Sequence, residues 1–148
     1  MTASQQRITA IALLIAMALL YMYTDQQQAY YEATAPAQIN QMLEDISSWQ
    51  EQDLSRHLSQ EAKDITSPSQ LSNVLALYRP LGDFQKIEQL HFSKLASALS
   101  FFGKKIVSYT GEVLFSSGQA KLTITLIHEH QRLKISNINI SSEALDNQ

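Results

Sequence analysis

The sequence predicts an α+β protein: an N-terminal transmembrane helix, about three further helices, then a four-stranded antiparallel meander sheet. Three observations carry this. Ile8 to Tyr23 is an uncharged, apolar run. From Pro36 to Tyr78 apolar residues recur at helical spacing, and from Asp83 to Ile140 the period falls towards two. Helices followed by antiparallel strands pack as helices on one sheet face.

The apolar run, ITAIALLIAMALLYMY, would rise about 24 Å as a helix, short for a hydrocarbon core of about 30 Å. Arg7 can snorkel at one end, Ile8, Leu14 and Leu20 supply apolar surface, and Tyr21 and Tyr23 suit an interfacial aromatic belt. A cleaved signal peptide is a second reading, and a buried core helix is a third. Ala16-Met17-Ala18 has a cleavage-site form but lies inside the run. Ala33-Thr34-Ala35 lies well beyond it and precedes Pro36. A retained anchor fits these positions better. Arg7 and the amino terminus are the only positive charges before the run, whereas Asp25 and Glu32 precede the next basic residue, Arg56. The positive-inside rule then places the bulk of the chain outside the cytoplasm. This predicts an anchor over 1–24, a polar stalk or helix extension over 25–35, a folded domain over 36–142 and a tail over 143–148.

Ile39, Met42, Leu43, Ile46 and Trp49 form one helical face, with Pro36 suited to the first helical position. The stripe then changes phase to Leu54, Leu58 and Ala62, which predicts a break near QEQD, with Asp53 as N-cap of a helix ending near Asp64. Ser67-Pro68-Ser69-Gln70 reads as a capping box with proline at N1. It opens a helix whose face is Leu71, Val74, Leu75 and Tyr78, closed by Pro80 and Gly82.

DFQKIEQLHF predicts the first strand, and residues 94–102 read either as strand or as a helical turn. Residues 105–116 follow, with Val107, Tyr109, Val113 and Phe115 on one face. Residues 116–119 turn the chain into a strand over 120–128, where Leu122, Ile124 and Leu126 alternate with Lys121, Thr123 and Thr125. Residues 129–132 make a second tight connection. In the last strand Leu133 and Ile135 differ in parity from Ile138 and Ile140, so a bulge near Ser136-Asn137 is needed to keep one buried face.

The composition narrows the function. Eleven basic against 14 acidic residues give a net charge of −3, and the longest basic run is Lys104-Lys105, which argues against nucleic acid. With no cysteine there is no disulfide, thiolate metal site or cysteine nucleophile. The sequence shows no nucleotide-binding glycine loop, Gly-x-Ser-x-Gly elbow or His-Glu-x-x-His, and no cofactor is expected. His128-Glu129-His130 places two histidines at i, i+2, which could share a metal on a strand but here flank a predicted turn. No metal and no catalytic residue is assigned.

The helices followed by LYRPLGDFQKIE and YTGEVLFSSGQAKLTITLIHEHQRLKISNINIS resemble small bacterial envelope proteins of the NTF2-like or cystatin-like type, over roughly residues 36–142. The final hairpin departs from their pattern at Gln131-Arg132-Leu133, and no catalytic residue of such proteins maps onto this chain. The resemblance implies a sheet with a concave face used for ligand binding or dimerisation. Trp49, Tyr78 and Tyr109, with Glu112 on the parity of Ile106 and Leu114, are the candidate pocket residues. The first three read first as core, by their helical and strand parities. The expectation is therefore a non-catalytic binding domain held at the outer side of a bacterial inner membrane, with a homodimer or an envelope protein as partner. The alternative is a small-molecule or lipid binder, or an isomerase-like enzyme, using the concave face.

Overall fold

The computed structural model describes residues 3–93 and 106–146. By their internal contacts residues 1–34 and 35–148 are two compact units. The element order is α1 (Ala3–Ile46), α2 (Glu51–His57), α3 (Gln60–Ile65), α4 (Pro68–Tyr78), a 3₁₀ turn (Arg79–Leu81), β1 (Phe84–Phe92), β2 (Ile106–Phe115), β3 (Gly118–Glu129), β4 (Arg132–Ser141) and α5 (Glu143–Asp146). This is the α+β class expected, with several helices and one antiparallel sheet in the order β1-β2-β3-β4. Residues 94–102, ambiguous in the sequence, lie outside the described residues.

The helix expected over Ile8–Tyr23 is present within α1, and residues 25–35 are helical too. Pro36 does not open a helix: it lies inside α1. An interior proline removes one backbone donor and usually kinks or breaks a helix. The buried stripe of Ala35, Ile39, Met42, Leu43 and Ile46 holds the helical path through this point.

α1 ends where Trp49 takes a left-handed backbone, φ 52°, a conformation that strains a bulky side chain. Burial of the indole and the bond its Nε1 donates to the Gly82 carbonyl oxygen, 2.9 Å, offset that strain. The phase change after Trp49 is real, but Asp53 is not the cap. Gln50 precedes α2 with no side-chain cap, and Asp53 sits in the first turn. The expected single helix is also two. Ser59 caps α3 by accepting from the Ala62 amide, and Leu58 forms a parallel bridge to Ile135. The capping box of α4 is as predicted, with both reciprocal bonds between Ser67 and Gln70.

β2 and β3 pair in continuous register from Phe115↔Gly118 to Ile106↔Ile127. The β3–β4 register shifts between Thr125 and Leu126, whose partners are Asn137 and Ile135, so Ser136 is the extra residue. This is the bulge the parity change required. It keeps Ile135 and Ile140 buried beside Leu126 and Leu122. His130 and Gln131 both take positive φ in the β3–β4 turn, the geometry whose twist matches a two-residue hairpin. One sheet face carries Tyr109, Val113, Phe115, Leu122, Ile124 and Leu126, all buried. The other is polar, and its cross-strand rows include Thr110–Thr123–Asn139 and Glu112–Lys121–Ser141.

Candidate functional site

The four candidate pocket residues are not brought together. Trp49, Tyr78 and Tyr109 are buried core side chains. The Trp49 ring lies 6.1 Å from Tyr78 and 6.0 Å from Phe115, and Tyr109 meets Phe92 edge-on at 5.5 Å, separations typical of packed aromatic pairs. The Tyr78 hydroxyl accepts the amide of Ile140 at 3.2 Å and reaches Asn139 Oδ1 at 3.5 Å. It therefore ties α4 to β4 instead of facing a ligand. Glu112 is exposed on the opposite sheet face, beside Lys121.

Glu112 does line an open groove of about 520 Å³, together with Gln119, Lys121, Ser141, Glu143 and Asp146. Its walls are the β2–β3 hairpin and the start of α5. The Ser142 hydroxyl closes the near side by donating to the Gln119 carbonyl oxygen, 3.1 Å, and accepting from the Ala144 amide, 3.3 Å. The lining is carboxylates, one lysine, hydroxyls and amides. It contains no histidine and no nucleophile hydrogen-bonded to a base.

The His128-Glu129-His130 cluster has another role. Both Glu129 carboxylate oxygens accept from the Gln60 amide, each at 3.1 Å, at the first residue of α3. The sequence offered no signal for this contact between distant residues. Beside it, Lys134 Nζ donates to the Arg56 carbonyl oxygen at 2.7 Å, near the end of α2. Among the described residues no group of three or more acidic residues and histidines could hold a metal ion. The closest acid–histidine pair is Asp45 with His57, 2.8 Å, joining α1 to α2. The hydrogen bond from His57 holds the Asp45 carboxyl below its usual range, burial opposes this, and the bond from Gln41 reinforces it. The pair lies among helix-surface groups, with Arg56 held by Asp53 at 3.1 Å.

The remaining unusual surface is in the 1–34 unit. Ile8, Ile11, Leu13, Leu14, Ile15, Met17, Leu19 and Met22 are all exposed, Ile8 at 67% and Leu14 at 63%. At 100° per residue they cover about two thirds of the helix circumference, and Ala12 and Ala16 share the remaining sector with Thr9, whose hydroxyl donates to the Gln5 carbonyl oxygen, so no charged face remains for water. Tyr21 is also exposed. Arg7, Leu20 and Tyr23 belong to the same helix, and their side chains are outside the described set. Among the described residues no helix is long and apolar enough to cross a membrane.

The chain matches no protein-family model, no curated protein and no solved structure at significant similarity.

Proposed function

We propose that this chain is a membrane-anchored interaction protein. Residues around Ile8–Tyr23 hold it in the bilayer, and the 35–148 unit serves as a non-catalytic binding domain on the extracytoplasmic side. The observation that supports it best is the exposed apolar circumference of α1 between Ile8 and Met22. A helix apolar all round belongs in a protein core or in lipid. The full uncharged run of the sequence extends from Ile8 to Thr24. At roughly 25 Å it reaches most of a hydrocarbon core, and local thinning and interfacial side chains make up the rest. Arg7 and the later Asp25 and Glu32 support an outward-facing domain.

A binding role follows from what the domain lacks and what it offers. The rings of Trp49, Tyr78 and Tyr109 are committed to the core, and the groove lined by Glu112 carries no catalytic arrangement. An NTF2-like or cystatin-like identity for the 35–148 unit remains part of this proposal, supported by the helices-then-meander order. Tethering raises the effective concentration of a weak binding domain near membrane partners.

Fractionation with an alkaline wash, combined with protease digestion of intact spheroplasts, tests the reading. The expected result is a full-length chain in the washed membrane pellet whose domain is cleaved only from outside. Intact chain in the wash, or a domain protected from external protease, overturns it.

A further inference from the structure

β4 and β1 are the two edges of the sheet, and they are finished differently. The β4 edge is occupied. Leu58 bridges to Ile135, the Ser59 amide donates to the Ile135 carbonyl oxygen at 2.8 Å, and the Tyr78 hydroxyl takes the Ile140 amide. Among the described residues no strand pairs with the outer edge of β1, and Gln85, Lys86, Glu88, Gln89 and His91 are exposed along it.

The order of residues along that edge is self-complementary. Asp83 to His91 reads DFQKIEQLH. In an antiparallel pairing of two such strands about a two-fold axis at Ile87, Lys86 stands opposite Glu88 of the second copy, and Glu88 opposite its Lys86. Gln85 then meets Gln89, Phe84 meets Leu90 and Asp83 meets His91. The faces agree for the apolar pairs: Phe84, Ile87 and Leu90 pair with Phe115, Val113 and Gly111 on the core side of the sheet, whereas Lys86 and Gln89 pair with Leu114 and Glu112 on the polar side, and Gln85 and Glu88 sit at the register shifts. Within one chain Lys86 Nζ lies 3.6 Å from Glu88 Oε1, and Gln119 Nε2 donates to the other Glu88 oxygen, so pairing with a second copy would exchange an intrachain Lys86 contact for one across the axis. Opposite charges directly across an antiparallel pair are favourable and like charges unfavourable.

We propose that the β1 edge pairs with β1 of a second copy of this chain, joining two four-stranded sheets across a two-fold axis centred on Ile87. The proposal deepens the interaction reading above and rests on it. Register shifts at Gln85 and Glu88 bend the strand, so the contact is short and centred on Lys86–Glu88. Such a contact is weak in dilute solution and gains from two copies sharing one membrane. Charges and bulges on an edge also discourage foreign strands, and here the charge order admits a second copy.

Cysteine crosslinking of the full chain in native membranes tests it. The protein has no cysteine, so a single Ile87→Cys cannot bridge within the chain, a band at twice the chain's mass marks a second copy, and central partners in antiparallel strands lie within disulfide reach. The expected result is a disulfide dimer for Ile87→Cys and none for Thr123→Cys on the polar sheet face. Adding Lys86→Glu sets glutamate against glutamate twice and lowers the yield by about tenfold, and adding Glu88→Lys as well restores it. Lys86 and Glu88 also pair within one chain, so each variant's urea midpoint is read beside its crosslink yield: an unchanged midpoint with a lowered yield assigns the loss to pairing between copies. A membrane-pelleted Ile87→Cys chain that gives no dimer, or a yield indifferent to Lys86→Glu, overturns the pairing and leaves the anchor standing. A soluble chain whose crosslink follows the charges removes the anchor and keeps the pairing.

Discussion

The two ends of α1 solve opposite problems with the same backbone. Between Ala35 and Ile46 the residues Ala35, Ile39, Met42, Leu43 and Ile46 form one stripe, and all of it is buried. The other side carries polar pairs one turn apart, Asn40 with Glu44 at 2.8 Å and Gln41 with Asp45 at 3.2 Å. Between Ile8 and Met22 there is no charged side, since apolar side chains and the lone Thr9 surround the axis. Helix propensity is much the same in both, because leucine, alanine and methionine favour helices in any setting. The pattern differs, and pattern selects the surroundings: water on one face and a core on the other for residues 35–46, whereas residues 8–22 present no polar face, the feature on which the proposed anchor rests.

The largest effects come from placing one charge in each half. Ile39→Asp buries an unpaired carboxylate at a site with no exposure and should cost about 4 kcal/mol or more. The 35–148 unit should then become protease-sensitive while the chain still pellets with membranes. Leu14→Arg should do the reverse, weakening insertion by about 3 kcal/mol and leaving the domain's melting transition in place. If both variants fail in both assays, the two halves of α1 are not doing different jobs.

Trp49→Ala comes next. It removes the ring packed on Tyr78 and Phe115 and the bond to Gly82, for an expected loss of about 3–5 kcal/mol in denaturant unfolding. A ligand-facing tryptophan would instead cost little stability. Gly111→Val is smaller. A Cβ at Gly111 runs into the Gln89 backbone at the β1 register shift, and we expect about 1–3 kcal/mol from the forced displacement, read as a lower urea midpoint.

The smallest effect is the pH dependence of Asp45. Its folded-state pKa is lowered below 3.8 by the bond from His57. The stabilisation is therefore present above the unfolded value and is lost as pH falls through the lowered folded value. Asp45 is partly exposed, so the effect is small. Asp45→Asn should flatten the acid limb of the stability curve, and an unchanged limb would show that the pair contributes nothing.

Much of the fold was legible because local rules were obeyed. The Ser67–Gln70 box, the Gly82 release and the parity break around Ser136 each have one cheap structural solution, and the chain adopts it. The misreadings came from tertiary contacts that override local signals. Pro36 looks like a helix start, yet the buried stripe from Ala35 to Ile46 carries the helix through it. The α2–α3 break is made by Leu58 and Ser59 reaching β4, a partner far along the chain. The candidate pocket failed for a related reason. Aromatic residues at core parity, such as Tyr109 and Trp49, fill the space they were expected to line. Glu112 shares the even parity of β2 with Thr110 and Leu114, the polar face, so its separation from Tyr109 is readable from the strand alone.

The central claim is that the apolar part of α1 stays on the chain and holds a folded domain at the membrane. Intact mass of the protein extracted from alkaline-washed membranes tests it most directly. The account predicts a chain that still carries residues 8–23, recovered from the pellet with the 35–148 unit protease-resistant. A mature chain beginning beyond Tyr23, or a full-length chain found in the wash, would contradict it.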